Sequence, residues 1–93
     1  MPDRRRMQVF YSGRVQGVGF RYTVKNIVAG YSAVGTVRNL SDGRVELVAE
    51  GGRGELEAFR QAIRDSELGH FVEHEDVQWA EATGGFRGFE IVR

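Results

Sequence analysis

The stretch MQVFYSGRVQGVGFRYTVKNIVAGY, Met7–Tyr31, changes its apolar period once, and that change decides the fold. Val9, Tyr11, Gly13 and Val15 recur at every second residue, which places them on one face of a strand. The segment is also rich in β-branched and aromatic side chains, as strands are. From Phe20 onward, Val24, Ile27, Val28 and Tyr31 fall at i, i+3, i+4 and i+7, one stripe of a helix. Between the two periods lies Gln16-Gly17-Val18-Gly19, a loop with two glycines. The spacing predicts a strand over Met7–Val15 and a helix from Phe20 to about Ser32. Gly30 then falls inside that helix, at a cost of up to about 1 kcal/mol against alanine.

Outward from this unit the same reading continues. Val34–Leu40 and Arg44–Ala49 read as two strands joined through Ser41-Asp42-Gly43, whose Asp-Gly pair is a hairpin signal. Gly51-Gly52-Arg53-Gly54 reads as a break. Glu55–Arg64 reads as a second helix with Leu56, Phe59 and Ile63 on its buried stripe. Its acidic residues lie near the positive end and Arg60 and Arg64 near the negative end, as the helix dipole prefers. Phe71–Ala82 reads as a fourth strand carrying Val77 and Trp79, with Trp79 and Phe89 as packing residues. Thr83-Gly84-Gly85 turns the chain into a closing strand over Phe86–Val92. The order strand, helix, strand, strand, helix, strand, with a short closing strand, predicts an α+β ferredoxin-like sandwich. Two helices would cover one face of a mostly antiparallel sheet. Residues 1–6 read as a disordered or extended tail, with Arg4-Arg5-Arg6 solvated, and residues 7–93 as one domain.

Composition narrows the chemistry. The 93 residues suffice for one core. The absence of cysteine excludes disulfides, thiolate metal sites and a cysteine nucleophile. It also points to the cytoplasm. No apolar run approaches the ~20 residues of a membrane span, and the N-terminus lacks a signal-peptide apolar stretch. Thirteen Lys+Arg balance thirteen Asp+Glu, without the basic excess of a general nucleic-acid binder. An anion bound here would be small and held by a local site.

Gly13-Arg14-Val15-Gln16-Gly17-Val18-Gly19-Phe20-Arg21 provides such a site. Successive backbone N–H groups in a glycine loop converge into an anion-binding nest, and the following helix adds unpaired N–H groups and its positive end. Arg21, in the first turn, presents a fork that binds phosphate oxygens through two parallel hydrogen bonds. The third glycine of a dinucleotide fingerprint is missing, and no Gly-Lys-Ser/Thr follows. On the residues alone a tight strand-to-helix turn explains the loop equally well. Asn39, at the end of the second strand, reads either as a turn-former or as a neutral amide that orients water. Arg38 alternates to the other face and reads as solvated.

The loop Gly13–Arg21 resembles, without a gap, the signature of the acylphosphatase family. Gly35-Thr36-Val37-Arg38-Asn39 followed by Asp42-Gly43-x-Val45 resembles its second motif, and Gly88-Phe89-Glu90-Ile91 its closing strand. The resemblance covers Met7–Arg93. It implies hydrolysis of small acyl phosphates to carboxylate and inorganic phosphate, with phosphate also a competitive inhibitor. Arg21 would anchor the phosphoryl group, Asn39 would position the attacking water, and the amides of Val15, Gln16, Gly17, Val18, Gly19 and Phe20 would complete the cradle. It further implies direct attack without a covalent intermediate and without metal or cofactor. The sequence departs from the family at Thr36, where an aromatic residue is usual, at Ser32, a common helix-ending glycine, and at Gly30 and Val28. These departures bear on packing of the first helix.

Other assignments are weaker. His70 and His74, among Glu73, Glu75 and Asp76, lack a metal-ligand pattern and read as a solvated acidic strand edge. An RNA-binding sheet using Phe10 and Tyr11 would need an aromatic motif that is absent. A phosphate- or carbamoyl-phosphate-binding accessory domain, such as occurs within larger maturation proteins, is disfavoured by a 93-residue chain. A closed two-layer domain makes a monomer the expectation, with no nucleic-acid or membrane partner.

Overall fold

The structure, a computed structural model, describes residues 3–93. Of the tail expected over 1–6, Met1 and Pro2 lie outside the described residues. Strand β1 (Arg4–Gly13) is followed by helix α1 (Phe20–Val28), strands β2 (Ala33–Asn39) and β3 (Val45–Gly52), and helix α2 (Arg53–Asp65). A 3₁₀ helix (Glu67–His70) and strands β4 (Val72–Glu81) and β5 (Phe89–Ile91) complete the chain. The sheet order is β4-β1-β3-β2-β5. Every neighbouring pair is antiparallel except β2 with β5. This is the expected ferredoxin-like α+β architecture, and its mostly antiparallel sheet agrees.

Strand periodicity chooses the covered face. Met7, Val9 and Tyr11 of β1, Val45, Leu47 and Ala49 of β3, and Val37 of β2 have no exposed surface. Against them pack Phe20, Val24 and Val28 of α1, Leu56, Phe59 and Ile63 of α2, and Leu68 of the 3₁₀ helix. Each such side chain, fully buried, contributes roughly 1.5–3 kcal/mol. Trp79 and Phe89 pack on this core from the two edge strands, as expected. Phe89 meets Phe59 edge-on at 5.9 Å, and the Arg53 guanidinium lies 4.4 Å from the Trp79 ring centre.

Several boundaries differ from the sequence reading. Strand β1 starts at Arg4, not Met7: Arg4, Arg5 and Arg6 pair with Gly52, Gly51 and Glu50 of β3. They form part of a central strand, not a solvated tail. The strand also ends at Gly13, and Val15 lies beyond it, fully buried. Helix α1 stops at Val28, with Ala29 as its cap, so Gly30 lies outside the helix. There the ladder tightens, with Gly30 N–H donating to Ile27 O (3.1 Å) and Tyr31 N–H to Val28 O (2.9 Å). Gly51-Gly52-Arg53-Gly54 is no break: β3 runs through Gly52 and α2 begins at Arg53. The closing strand is only Phe89–Ile91. Thr36 lies in one row with Val48 and Gln8. That row faces away from the helices, so Thr36 does not touch the packing of α1.

Candidate functional site at the end of β1 and β2

Strands β1 and β2 are each antiparallel to β3 and therefore parallel to one another. Their C-terminal ends lie at the same end of the sheet. There Tyr11 of β1 and Asn39 of β2 both pair with Val45 of β3. Neighbouring strands lie about 4.8 Å apart, so the Tyr11 and Asn39 backbones are separated by roughly 10 Å. Residues in one row point to one face. Tyr11 and Val45 face the helices, fully buried, so Asn39 also faces the helix side. Arg38 takes the opposite face, as expected. It is only partly exposed, however: its Nε donates to the Glu46 carboxylate at 2.6 Å.

Between β1 and α1 the chain is shaped by glycines and pinned by apolar anchors. At Gly13 (φ 123°) an added Cβ would meet Phe71 O at 2.5 Å and Glu73 N at 2.8 Å. The β1–β4 register shifts there, and Arg14 N–H donates to Phe71 O at 2.9 Å. Val15 and Phe20, with 0% and 2% of their surface exposed, hold the two ends of the loop in the core. The Phe20 ring sits 5.0 Å from the Tyr11 ring. Gly17 and Gly19 (φ 80° and 78°) turn the exposed segment in a left-handed conformation that suits glycine. Val18 is half-buried against the core.

Helix α1 opens in an unusual way. Its N-cap is Gly19, with no side-chain cap hydrogen bond, and its first turn contains no acidic residue. The start of α2 carries Glu55, which satisfies the usual electrostatic preference. The positive end of α1 thus has no acidic side chain in its first turn to offset it. Arg21 is half-buried in this first turn. Four other arginines are neutralised: Arg38 by Glu46, Arg44 by Asp42, and Arg60 and Arg64 by Glu75. Arg14, in the loop, is exposed and forms no ion pair among the described residues. Among the described residues, Arg21 has no carboxylate within ion-pair distance.

The loop is also fastened to the β2–β3 hairpin. Gln16 Nε2 donates to Leu40 O at 2.8 Å and to Arg44 O at 2.9 Å. Gln16 was singled out in the sequence for its backbone only. No local pattern announces a side-chain bond to carbonyls 24 and 28 residues away. The turn itself is held by Asp42, whose carboxylate accepts from the backbone N–H and Nε of Arg44 (3.1 and 2.8 Å). The Arg44 backbone bond and then its guanidinium hold the Asp42 carboxyl below its usual range.

On the acidic edge, Glu73, His74 and Asp76 are exposed as expected, and Glu75 alone departs. Glu75 accepts from Arg60 Nη1 at 2.7 Å and from Arg64 Nη2 at 2.8 Å. Burial pushes its carboxyl up, but these arginines outweigh burial and hold it below its usual range. Glu50 is fully buried on the open face and was not singled out in the sequence. It accepts from Thr83 N, Thr83 Oγ1 and Gly84 N at 2.8–2.9 Å, and pairs with Arg6. Burial raises its carboxyl, and the Thr83 and Gly84 N–H groups more than reverse that. This pins the β4–β5 connection across the sheet. His70 and His74 are both exposed. Among the described residues no group of three or more His, Asp or Glu is placed to hold a metal ion.

An aromatic platform for RNA is not built. Tyr11 is buried beneath the helices, and the Phe10 ring, on the other face, is covered by the Arg44 guanidinium at 4.7 Å.

Comparison with known proteins agrees with this geometry. The acylphosphatase family profile matches residues 7–91. An acylphosphatase of Roseiflexus sp. (strain RS-1) is 44% identical, with 99% of each chain covered. The crystal structure of acylphosphatase from Bacillus subtilis superposes with a TM-score of 0.87 at 35% identity, covering 96% of this chain and 99% of that one. Full-length HypF, in its phosphate- and nucleotide-bound form, matches with a TM-score of 0.89 at 32% identity. That match covers all of this chain but 12% of HypF. With the loop, the hairpin and the closing strand all inside the matched span, the chain belongs to the acylphosphatase family.

Proposed function

We propose that Arg21 anchors the phosphoryl group of an acyl phosphate and that Asn39 positions the water that attacks it. The reaction class, hydrolysis of acyl phosphates, comes with the family. The assignment of roles rests above all on the opening of α1: an uncapped helix N-terminus with a half-buried, unpaired arginine in its first turn, whereas Arg38 and Arg44 near the hairpin are neutralised. The backbone N–H groups of Val15, Gln16, Gly17, Val18, Gly19 and Phe20 complete the cradle.

The chemistry asks little more. An acyl phosphate is dianionic near neutral pH and has a good carboxylate leaving group. Catalysis therefore consists of holding the phosphoryl group, stabilising its spreading charge and placing one water in line. Arginine stays charged at any working pH and offers a planar fork. Asparagine accepts from water through its carbonyl while its NH₂ donates to phosphate. Attack is direct, without covalent enzyme intermediate, metal or cofactor, and the substrate phosphate takes the proton from water. Inorganic phosphate, the product, competes for the same cradle. The protein acts as a cytoplasmic monomer on small substrates, with no nucleic-acid or membrane partner. Among the described residues no helix is long and apolar enough to cross a membrane.

The test is steady-state hydrolysis of benzoyl phosphate in EDTA. Wild type turns over. Arg21→Ala loses at least ~10²–10³ in rate, the scale for removal of one electrostatic donor. Arg21→Lys also fails, because a point charge does not copy the fork. Asn39→Ala loses turnover but keeps inhibition by phosphate. Wild-type activity in the lysine variant refutes the bidentate role, and abolished phosphate inhibition with surviving turnover refutes the role of Asn39. Loss of wild-type turnover in EDTA, restored by a divalent cation, refutes metal independence.

A further inference from the structure

We infer that the Gln16 side chain is a positioning residue: it sets the distance between the phosphate cradle and the water-orienting Asn39. This rests on the roles proposed above for the loop and for Asn39. The Gln16 carboxamide nitrogen has two N–H groups, and both are used, one on Leu40 O (2.8 Å) and one on Arg44 O (2.9 Å). Two carbonyl acceptors can be met only by the nitrogen end of the amide, so its orientation is determined. Those carbonyls are the two posts of the hairpin mouth, since Leu40 N–H also donates to Arg44 O at 2.8 Å. Leu40 directly follows Asn39. One side chain thus ties the segment that presents backbone amides to the strand end that presents the asparagine.

The other anchors act on each part separately. Val15 and Phe20 seat the loop in the core, and the β2–β3 ladder seats Asn39 opposite Val45. Among the described residues no other side-chain hydrogen bond joins 14–19 to 39–44. Both bonds are solvent-exposed, so removing them should barely unsettle the fold. In-line attack is far less tolerant, because a misplacement of about 1 Å costs up to ~10²-fold in rate. The clamp should therefore register in kcat, not in phosphate binding and only weakly in stability.

Gln16→Met keeps the length of the side chain and removes both donors. With benzoyl phosphate we expect kcat to fall ~10–100-fold. Competitive inhibition by inorganic phosphate should stay within ~3-fold, and the unfolding temperature should fall by less than ~8 °C. In an Asn39→Ala background the same substitution should cost no more than ~3-fold, since a residue acting through Asn39 is then redundant. Wild-type kcat in Gln16→Met overturns the inference, as do fully additive losses in the double variant. Phosphate inhibition lost in step with kcat also overturns it, by making Gln16 a phosphate ligand. Surviving turnover in Asn39→Ala alone is a different failure, that of the Asn39 assignment, and is read from that variant.

Discussion

Removing the hydroxyl of Tyr11 should stabilise this protein, against the usual direction of core substitutions. Tyr11 has no exposed surface, and its hydroxyl has no hydrogen-bond partner. An unsatisfied buried polar group costs about 1–3 kcal/mol. Against this, deleting one oxygen leaves a void on the order of 15 Å³, worth about 0.4 kcal/mol at ~24 cal/mol per Å³. The ring and its contact with Phe20 at 5.0 Å remain. Tyr11→Phe should therefore gain roughly 0.6–2.6 kcal/mol, raising the unfolding temperature by at least ~2 °C at about 4–8 °C per kcal/mol. A second consequence concerns pH. Burial, and next the Glu75 carboxylate, raise the Tyr11 pKa well above its ordinary value of 10. A group whose folded pKa is raised adds stability below its unfolded pKa and loses it as pH climbs above. Wild type should lose about 1.4 kcal/mol per pH unit above 10 from this residue alone, and Tyr11→Phe should not. The assay is thermal unfolding by circular dichroism from pH 7 to 11.5. A lower unfolding temperature for Tyr11→Phe at pH 7 would refute the reasoning. It would mean that the hydroxyl is satisfied, by water in the adjoining cavity of about 380 Å³ between Ile63, Arg64, Val72 and Glu75.

Two further predictions concern the loop and the open face. Gly13→Ala should cost about 2–6 kcal/mol in urea unfolding, because its φ of 123° and the clash with Phe71 O act together. Gly17→Ala, with open space around it, should cost only the left-handed backbone penalty of about 1–2 kcal/mol; equal losses would refute the close-approach argument. Glu50 has a lowered folded pKa against an ordinary 4.5. Its contribution is present above pH ~4.5 and is lost as pH falls through the folded value. Glu50→Gln should flatten the acid limb of the stability profile measured from pH 7 to 2, and superimposable limbs would count against the latch to Thr83 and Gly84.

What the sequence disclosed and what it withheld divide along physical lines. The shift from period two to period 3.6 between Tyr11 and Val24 is local, and it yielded the order of elements. The start of β1 was not local. Arg4–Arg6 are strand only because β3 pairs with them and, from Arg5 onward, β4 as well, and pairing partners at that separation leave no mark on the residues themselves. The end of α1 was misplaced because Tyr31 keeps the helical phase while reaching the core, against the Phe59 ring at 5.8 Å, from a tightened turn after the helix. Glu75 was legible and misread. It alternates with Val77 and Trp79, the inward residues of β4, so period two already turned it toward α2. Inward charge on an edge strand is a known protection against edge pairing, and here Arg60 and Arg64 make it tolerable.

A net charge of zero argues against a broad nucleic-acid surface, yet it is silent about a small anion site. At physiological salt, exposed charges are screened over about 8 Å, so the field at the loop depends on local neutralisation and not on the sum. Near the hairpin Asp42 cancels Arg44, and under α2 Glu75 is shared by Arg60 and Arg64. Beside the uncapped start of α1 nothing comparable faces Arg21 among the described residues. The topology then bears on the second half of the proposed site. Two strands antiparallel to a common neighbour run the same way, so the loop following β1 leaves the sheet at the end where β2 stops, and Gln16 bridges the two. The sequence can state which residues stand at those ends. The pairing of charges across the fold leaves Arg14 and Arg21 unpaired there among the described residues, and of the two only Arg21 is half-buried in the first turn of α1.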